Sequence, residues 1–365
     1  MKITFIIYGL GSGGAERAVS GLANFWATEH EISIITLVKS DPFYKLDPNI
    51  KLYHCLNSDK KTTSSLSTII DGGKRLYKLY FLLRKIRSEV VISFMTKTNY
   101  YSILTAKAIG IPCIISERAN HELNRLPKSQ EKLRNFLYKK IDALVVQTTG
   151  NLNYYSKTIL KKPIIVIPNA VATVFKRNTQ IKENNKIILN VGAFRNGKAQ
   201  HILLHAFAKL KTTDWSIIFL GQGPNLNKNK ELAKKLGLEE KVIFKGAQTD
   251  VAAYYNKANI FVFTSEHEGY PNALLEALYF GIPSISTNCK HGPSDMITNG
   301  ENGFLVPVGD IDALASKMKI IMNNKELQEK FRNASIASTE YNEMDKIATK
   351  WMDLIKTVTN SYLIK

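Results

Sequence analysis

Two glutamates eight residues apart, Glu268 and Glu276, stand within the stretch TSEHEGYPNALLEALYFGIPSIST at 264–287. An apolar run precedes Thr264 and a helical pattern starts near Pro271 and Asn272. Glu268 is therefore expected at the tip of a strand-to-helix loop and Glu276 on the helix that follows. Between them the chain passes through Gly269, Tyr270, Pro271 and Asn272, bringing backbone amides to a helix N-terminus. Carboxylates accept hydrogen bonds from sugar hydroxyls, while amides and a helix dipole receive phosphate oxygens. A polyhydroxylated ligand carrying a diphosphate suits that combination. Two glutamates alone are equally consistent with a solvated loop acid and an ordinary helix acid.

A second chemical signal opens the chain. YGLGSGGAERAVSGLA, at 8–23, places Gly9, Gly11 and Gly14 in the spacing G-x-G-x-x-G, after an apolar run and before a helical pattern. A dinucleotide-binding unit also needs an acid near the end of its second strand, to hold the ribose hydroxyls. Here that strand ends Leu37-Val38-Lys39-Ser40, with Asp41 late. An NAD(P)-dependent oxidoreductase is thus a remote alternative. Two readings remain: a tight strand-to-helix turn, or amides around Gly13 and Gly14 holding a phosphate or another anion.

The elements that must position these loops alternate between strand-like and helix-like throughout, which predicts an α/β fold with parallel sheets covered by helices. Ile3–Tyr8, Ile32–Val38, Val90–Phe94, Cys113–Ser116 and Ala143–Gln147 read as strands of a first domain, with a helix over about 15–27. Ile187–Val191, Ser216–Leu220, Val242–Lys245, Ile260–Thr264 and Ser284–Ser286 read as strands of a second. The expected organisation is two doubly wound Rossmann-like domains, 1–171 and 187–340, joined by a polar linker at 172–186. A helix at 341–365, with Ile347, Trp351, Leu354 and Ile355 as its apolar face, is expected to pack back on the first domain. Two such domains imply a cleft at the carboxyl ends of their strands, where open α/β folds bind ligands.

The 365 residues are too many for one ordinary core, and 44% hydrophobic content argues for a packed globular protein. The three cysteines, Cys55, Cys113 and Cys289, have no metal-ligand or disulfide spacing, which suits a reducing cytoplasm. The formal charge is +19, and residues 1–170 hold 25 Lys+Arg against 12 Asp+Glu, a net +13. Such a field concentrates anionic partners: nucleic acid, phosphorylated substrates or anionic lipid head groups. No motif with interleaved aromatics supports a nucleic-acid interface. No apolar run is long enough to span a bilayer, which excludes an integral membrane protein.

Several short stretches together resemble the retaining glycosyltransferases of family four. Glu268-Gly269-Tyr270-Pro271, then Leu275-Glu276-Ala277 and Gly281-Ile282-Pro283, is similar to their E-x7-E signature. In family order stand NVGAFRNGKAQ (190–200), FLGQGP (219–224), VIFKGA (242–247) and NGENGFLVPVGD (299–310), with GGAER (13–17) and VIPNAV (166–171) before them. The resemblance spans nearly the whole chain and implies the GT-B fold. It implies that Glu268 bonds the donor sugar's hydroxyls, helped by amides around Gly269–Asn272, and that Glu276 holds the nucleotide ribose. Lys198 would neutralise the departing diphosphate, with Gly13 and Gly14 offering amides across the cleft. The family has Arg directly after the glycine of its VG pair; this chain has Ala193 there, with Arg195 two residues on. Arg195 is the candidate replacement, and a non-catalytic nucleotide-sugar-binding protein is the alternative that Ala193 keeps open.

No metal or other cofactor is expected, because Arg195 and Lys198 supply positive charge at the diphosphate. The Asp-x-Asp of GDID (309–312) reads as a helix cap and first-turn acid. On the acceptor side, Arg118 and His121 are candidates, with a plain surface loop as the alternative. Residues 72–89 interleave Lys74, Arg75, Lys78, Arg84, Lys85 and Arg87 with Leu76, Leu79, Tyr80 and Leu83. That pattern fits an interfacial helix on anionic lipid or a core helix with a basic outer face. Early residues also resemble bacterial enzymes that extend lipid-linked glycans, as in O-antigen assembly. That resemblance implies a polyprenyl-diphosphate-linked saccharide acceptor and a UDP-sugar donor. The implied place is the cytoplasmic face of the plasma membrane.

Overall fold

The computed structural model describes residues 1–57, 65–119, 126–159, 162–172, 175–177, 185–211 and 214–363. The chain divides into two compact units, Met1–Ala170 with Met344–Lys365, and Val171–Glu343.

In the first unit seven parallel strands are β1 (Lys2–Ile7), β2 (Glu31–Val38), β3 (Lys51–Leu56), β4 (Val90–Phe94), β5 (Cys113–Ser116), β6 (Ala143–Val146) and β7 (Ile164–Val166). Their order is β3-β2-β1-β4-β5-β6-β7. Helices cover both faces, so the central strands are apolar on both sides. Along β1, Ile3, Phe5 and Ile7 join the core of one face with Val19, Leu22, Trp26 and Trp351. Ile6 points to the other, with Leu79, Leu83, Ile103 and Tyr138. The helix Met344–Leu363 belongs to this unit and buries Ile347, Trp351, Leu354 and Ile355.

The second unit repeats the plan with β8 (Ile187–Val191), β9 (Ser216–Leu220), β10 (Val242–Phe244), β11 (Ile260–Phe263), β12 (Ser284–Thr287) and β13 (Phe304–Val306), ordered β10-β9-β8-β11-β12-β13. The doubly wound reading therefore holds in both halves. Three strands went unpredicted, β3, β7 and β13, and all three lie at sheet edges. An edge strand is paired on one side only, can be short, and leaves a weaker apolar signature.

Of the expected linker, 173–174 and 178–184 lie outside the described residues. Phe175 packs edge-on against Tyr255 and Phe280 within the second unit. Arg177 donates to the carbonyl oxygen of Tyr279 at 3.0 Å.

Candidate functional site

The strand order reverses direction of growth between β8 and β11, and ligands of open α/β sheets bind beside that switch point. The loops that leave these two strands carry Lys198 and Glu268. They are clasped together. Glu266 N–H donates to Gly197 O at 2.8 Å, and Thr264 Oγ1 donates to Lys198 O at 2.9 Å. Across this clasp Lys198 Nζ lies 2.5 Å from Glu268 Oε1, with the side chains 17% and 11% exposed. Lys198 also lies 5.6 Å from the centre of the Phe263 ring.

The neighbouring loops fix this pair from below. Thr287, ending β12, donates to Ser265 O at 2.5 Å. Gly292 sits at φ 96°, and a Cβ there would fall 2.5 Å from Pro271 Cδ, so only glycine allows this close approach. Gly221, at φ 142°, lies so near Gly192 O that a Cβ would meet it at 2.0 Å. The loops after β8, β9, β11 and β12 thus touch one another closely around the charged pair.

Pro271 caps the helix Asn272–Tyr279 without a side-chain acceptor. The Leu274 and Leu275 amides donate to Pro271 O at 3.0 and 3.1 Å. Glu276 is buried one turn along that helix, and its Oε2 accepts from Tyr255 Oη at 2.8 Å. Tyr270 Oη accepts from Asn342 Nδ2 at 3.1 Å. Arg195 is exposed, and its side chain makes no hydrogen bond or ion pair with Lys198 or Glu268. Asp310 accepts from Ala313 N–H at 2.8 Å as the cap of the helix Ile311–Met322, while Asp312 in its first turn pairs with Lys209. No cluster able to hold a metal ion occurs among the described residues.

Sequence reasoning missed Tyr255 and Cys289 near this centre. Burial pushes the Cys289 thiol up to about 11, and the Glu268 carboxylate adds to that. A residue that acts from behind, through a helix or the end of the next strand, has no spacing signal.

In the first unit, Gly13 caps the helix Gly14–Trp26 in extended geometry. The Glu16 carboxylate folds back to 2.2 Å from where a Cβ of Gly13 would stand, so an acid of the chain already occupies that helix N-terminus. Ser40 takes the place of the acid a dinucleotide site requires and accepts from Leu10 N–H at 2.7 Å. Arg118 lies 4.8 Å from the Phe94 ring centre and 5.9 Å from that of Trp351, and donates to Asn169 Oδ1 at 2.7 Å. His121 lies outside the described residues. Beside Arg118, Glu117 is buried at the end of β5, accepting from Tyr138 Oη, from Thr96 Oγ1 at 3.0 Å and from Asn99 Nδ2 at 3.2 Å. Burial raises its carboxyl above the ordinary range despite these donors.

On the helix Ser65–Ile86, Leu79 and Leu83 are core residues. Tyr77 and Phe81 point outward, 66% and 50% exposed, among exposed Lys74, Lys78, Arg84 and Lys85. No described helix is long and apolar enough to cross a membrane.

A family model of glycosyl transferases group 1 matches residues 172–337, which include Lys198, Glu268 and Glu276. The chain is 31% identical over 364 residues to a Campylobacter jejuni protein, covering 99% of this chain and 100% of the relative. That relative is the GalNAc-alpha-(1->4)-GalNAc-alpha-(1->3)-diNAcBac-PP-undecaprenol alpha-1,4-N-acetyl-D-galactosaminyltransferase. A second C. jejuni relative, an N-acetylgalactosamine-N,N'-diacetylbacillosaminyl-diphospho-undecaprenol 4-alpha-N-acetylgalactosaminyltransferase, is 27% identical, with 95% of this chain and 96% of the relative covered. Among solved structures, Anabaena HepE in complex with UDP superposes with a TM-score of 0.84 at 15% identity, over 98% of this chain and 100% of that one.

Proposed function

Because the chain belongs to the group 1 glycosyl transferases, we propose that it transfers a hexose or N-acetylhexosamine from a UDP-sugar, with retention, to a saccharide on a polyprenyl diphosphate. The observation that carries this reading is the Lys198–Glu268 pair, held across the two loops that flank the switch point of the second sheet. Two relatives that match this chain end to end are named for N-acetylgalactosaminyl transfer to undecaprenyl-diphosphate-linked glycans.

In this reading Glu268 accepts hydrogen bonds from the donor sugar, Lys198 and Arg195 face the diphosphate, and Glu276 holds the ribose. The amides around Gly269, Tyr270 and Asn272, beside Pro271, receive phosphate oxygens. Transfer breaks the bond from the anomeric carbon to the phosphate oxygen and forms one to the acceptor oxygen on the same face. The acceptor's proton passes to the departing phosphate oxygen, so no second carboxylate nucleophile is needed. The electrostatic demand falls on the leaving diphosphate, and a preorganised ammonium meets it without reorganisation. Positive side chains can serve there in place of a divalent ion, which makes the reaction metal-independent.

The first unit binds the acceptor, with Arg118 and His121 as its candidate contacts, and its basic helix Ser65–Ile86 lies on the cytoplasmic face of the membrane. Tyr77 and Phe81, exposed among lysines and arginines, suit an anionic lipid surface. Flotation with anionic vesicles at moderate salt tests this part; no association would remove it.

The whole reading is tested by a calorimetric donor screen with UDP-GalNAc, UDP-Gal, UDP-Glc, UDP-GlcNAc and GDP-Man. Nucleotide release is then followed with and without a polyprenyl-diphosphate-linked saccharide. Acceptor-dependent release abolished by Glu268→Ala is the expected result. Tight donor binding with no release under any acceptor would favour a non-catalytic sugar-nucleotide-binding protein.

A further inference from the structure

Asn342 stands where the second unit ends, two residues before the chain leaves it at Met344. Its carbonyl oxygen accepts from Val171 N–H at 2.8 Å, and Val171 is the residue at which the chain enters that unit. Its buried side-chain amide donates to Tyr270 Oη at 3.1 Å, and Tyr270 belongs to the loop that carries Glu268. One residue thus joins the entry of the unit, its exit and the tip of the loop beside the charged pair.

The surroundings make this bond matter. Tyr270 and Asn342 line a cavity of about 200 Å³ together with Asp295, Thr298, Ser338 and Thr339. A ring that borders a polar cavity is not locked by dense packing on that side, so a directional bond must set its position. On its other flank the loop is backed by Gly292 against Pro271. The loop is also held by Glu266 N–H on Gly197 O and by the Lys198–Glu268 pair, and the phenol–amide bond is a contact at its tip that a single substitution removes without opening an apolar core.

We propose that Asn342 is a positioning residue for the loop Glu268–Asn272, acting through the Tyr270 hydroxyl. The proposal rests on the glycosyl-transfer reading for its consequence, not for the tether itself. Asn342 touches no substrate; it sets where Glu268 and the first amides of the helix Asn272–Tyr279 stand when the donor arrives. Loss of the tether loosens the loop in the ground state and lowers turnover more than it changes UDP affinity, because the nucleotide half is held elsewhere, at Glu276.

The test uses the full chain with Asn342→Ala and, as a second and gentler change, Tyr270→Phe. Amide hydrogen exchange is measured over 266–275, with UDP affinity by calorimetry and turnover with the donor and lipid-linked acceptor. Each variant is expected to exchange about 3- to 10-fold faster in this segment, the range for one neutral hydrogen bond. kcat should fall by a similar factor and UDP affinity by clearly less, and the double variant should be no worse than the worse single. Unchanged exchange in both singles, or effects that add in full, would overturn the tether. Faster exchange with unchanged kcat would overturn the positioning role. Failure of the transfer reading shows separately, as no acceptor-dependent nucleotide release by the wild-type chain, with the exchange measurement still deciding the tether.

Discussion

Lys198 Nζ and Glu268 Oε1 form a direct ion pair at 2.5 Å, bridging the two loops that flank the switch point of the second sheet. Both groups are mostly withdrawn from water, so each is the other's main solvation. In the proposed reading a UDP-sugar offers a diphosphate to the ammonium and hydroxyls to the carboxylate, so that both groups would change partner together. Lys198→Ala is therefore expected to cost about 10²- to 10³-fold in kcat, the scale for one preorganised group at a developing negative charge. It also removes the ammonium that the largely withdrawn Glu268 carboxylate faces. Lys198→Ala/Glu268→Gln together should lose less than the product of the single losses. Steady-state kinetics of the three variants decides this; strictly multiplicative losses would show that the pair does not act as a unit.

Tyr255 supports Glu276, the residue proposed to hold the ribose. Its hydroxyl donates to Glu276 Oε2 at 2.8 Å and lies 3.2 Å from Ala273 O, while its ring stacks on Phe280. Tyr255→Phe keeps the packing and removes only the hydroxyl. Donor affinity should weaken by about 3- to 10-fold, as for one lost hydrogen bond, with kcat changed less. Calorimetric titration with UDP gives the answer, and unaltered affinity would remove Tyr255 from the site.

Glu117 gives a pH prediction whose sign follows from its burial. Its folded carboxyl titrates above the ordinary value of 4.5, so above that value the folded chain binds more protons than the unfolded one. Its contribution to stability is complete below the unfolded value and is lost as pH rises through the folded one. Glu117→Gln keeps acceptance from Tyr138, and its amide can donate to the Thr96 hydroxyl. Thermal unfolding across this range should show the variant gaining on the wild type as pH rises. A difference that stays flat, or shrinks, contradicts the assignment.

How much of this could be read beforehand differs by kind of residue. The central strands were legible, since a strand buried on both faces is a short apolar run, as in ITFII of β1 and IFVF of β11. Glu268 and Glu276 were legible as candidates from their spacing across a strand-to-helix loop, and Lys198 only through the family resemblance. That Lys198 and Glu268 meet was not, because 70 residues separate them and only the sheet order brings their loops together. Tyr255 was hidden for a related reason: its ring is core-like, and its hydroxyl finds Glu276 only after the helix packs. The glycine fingerprint at 9–14 misled as a cofactor signal. It records a tight turn after β1, which any doubly wound sheet can use, and Ser40 rather than an acid faces it.

Trp351 joins the C-terminal helix to the first unit. It is fully buried, its ring centre lies 5.9 Å from that of Phe94, and the Arg118 guanidinium stands over it. The same guanidinium donates to Asn169, at the end of the first unit's continuous segment. Removing the indole opens a cavity and takes one aromatic face from Arg118, whose bond to Asn169 then has less to orient it. Trp351→Ala should destabilise the first unit by about 3–5 kcal/mol, whereas Trp351→Phe retains a face for the cation and should cost much less. Denaturant unfolding followed by fluorescence of Trp26, which lies in the same core, measures both variants. Equal losses in the two would mean that an aromatic face beneath Arg118 restores nothing.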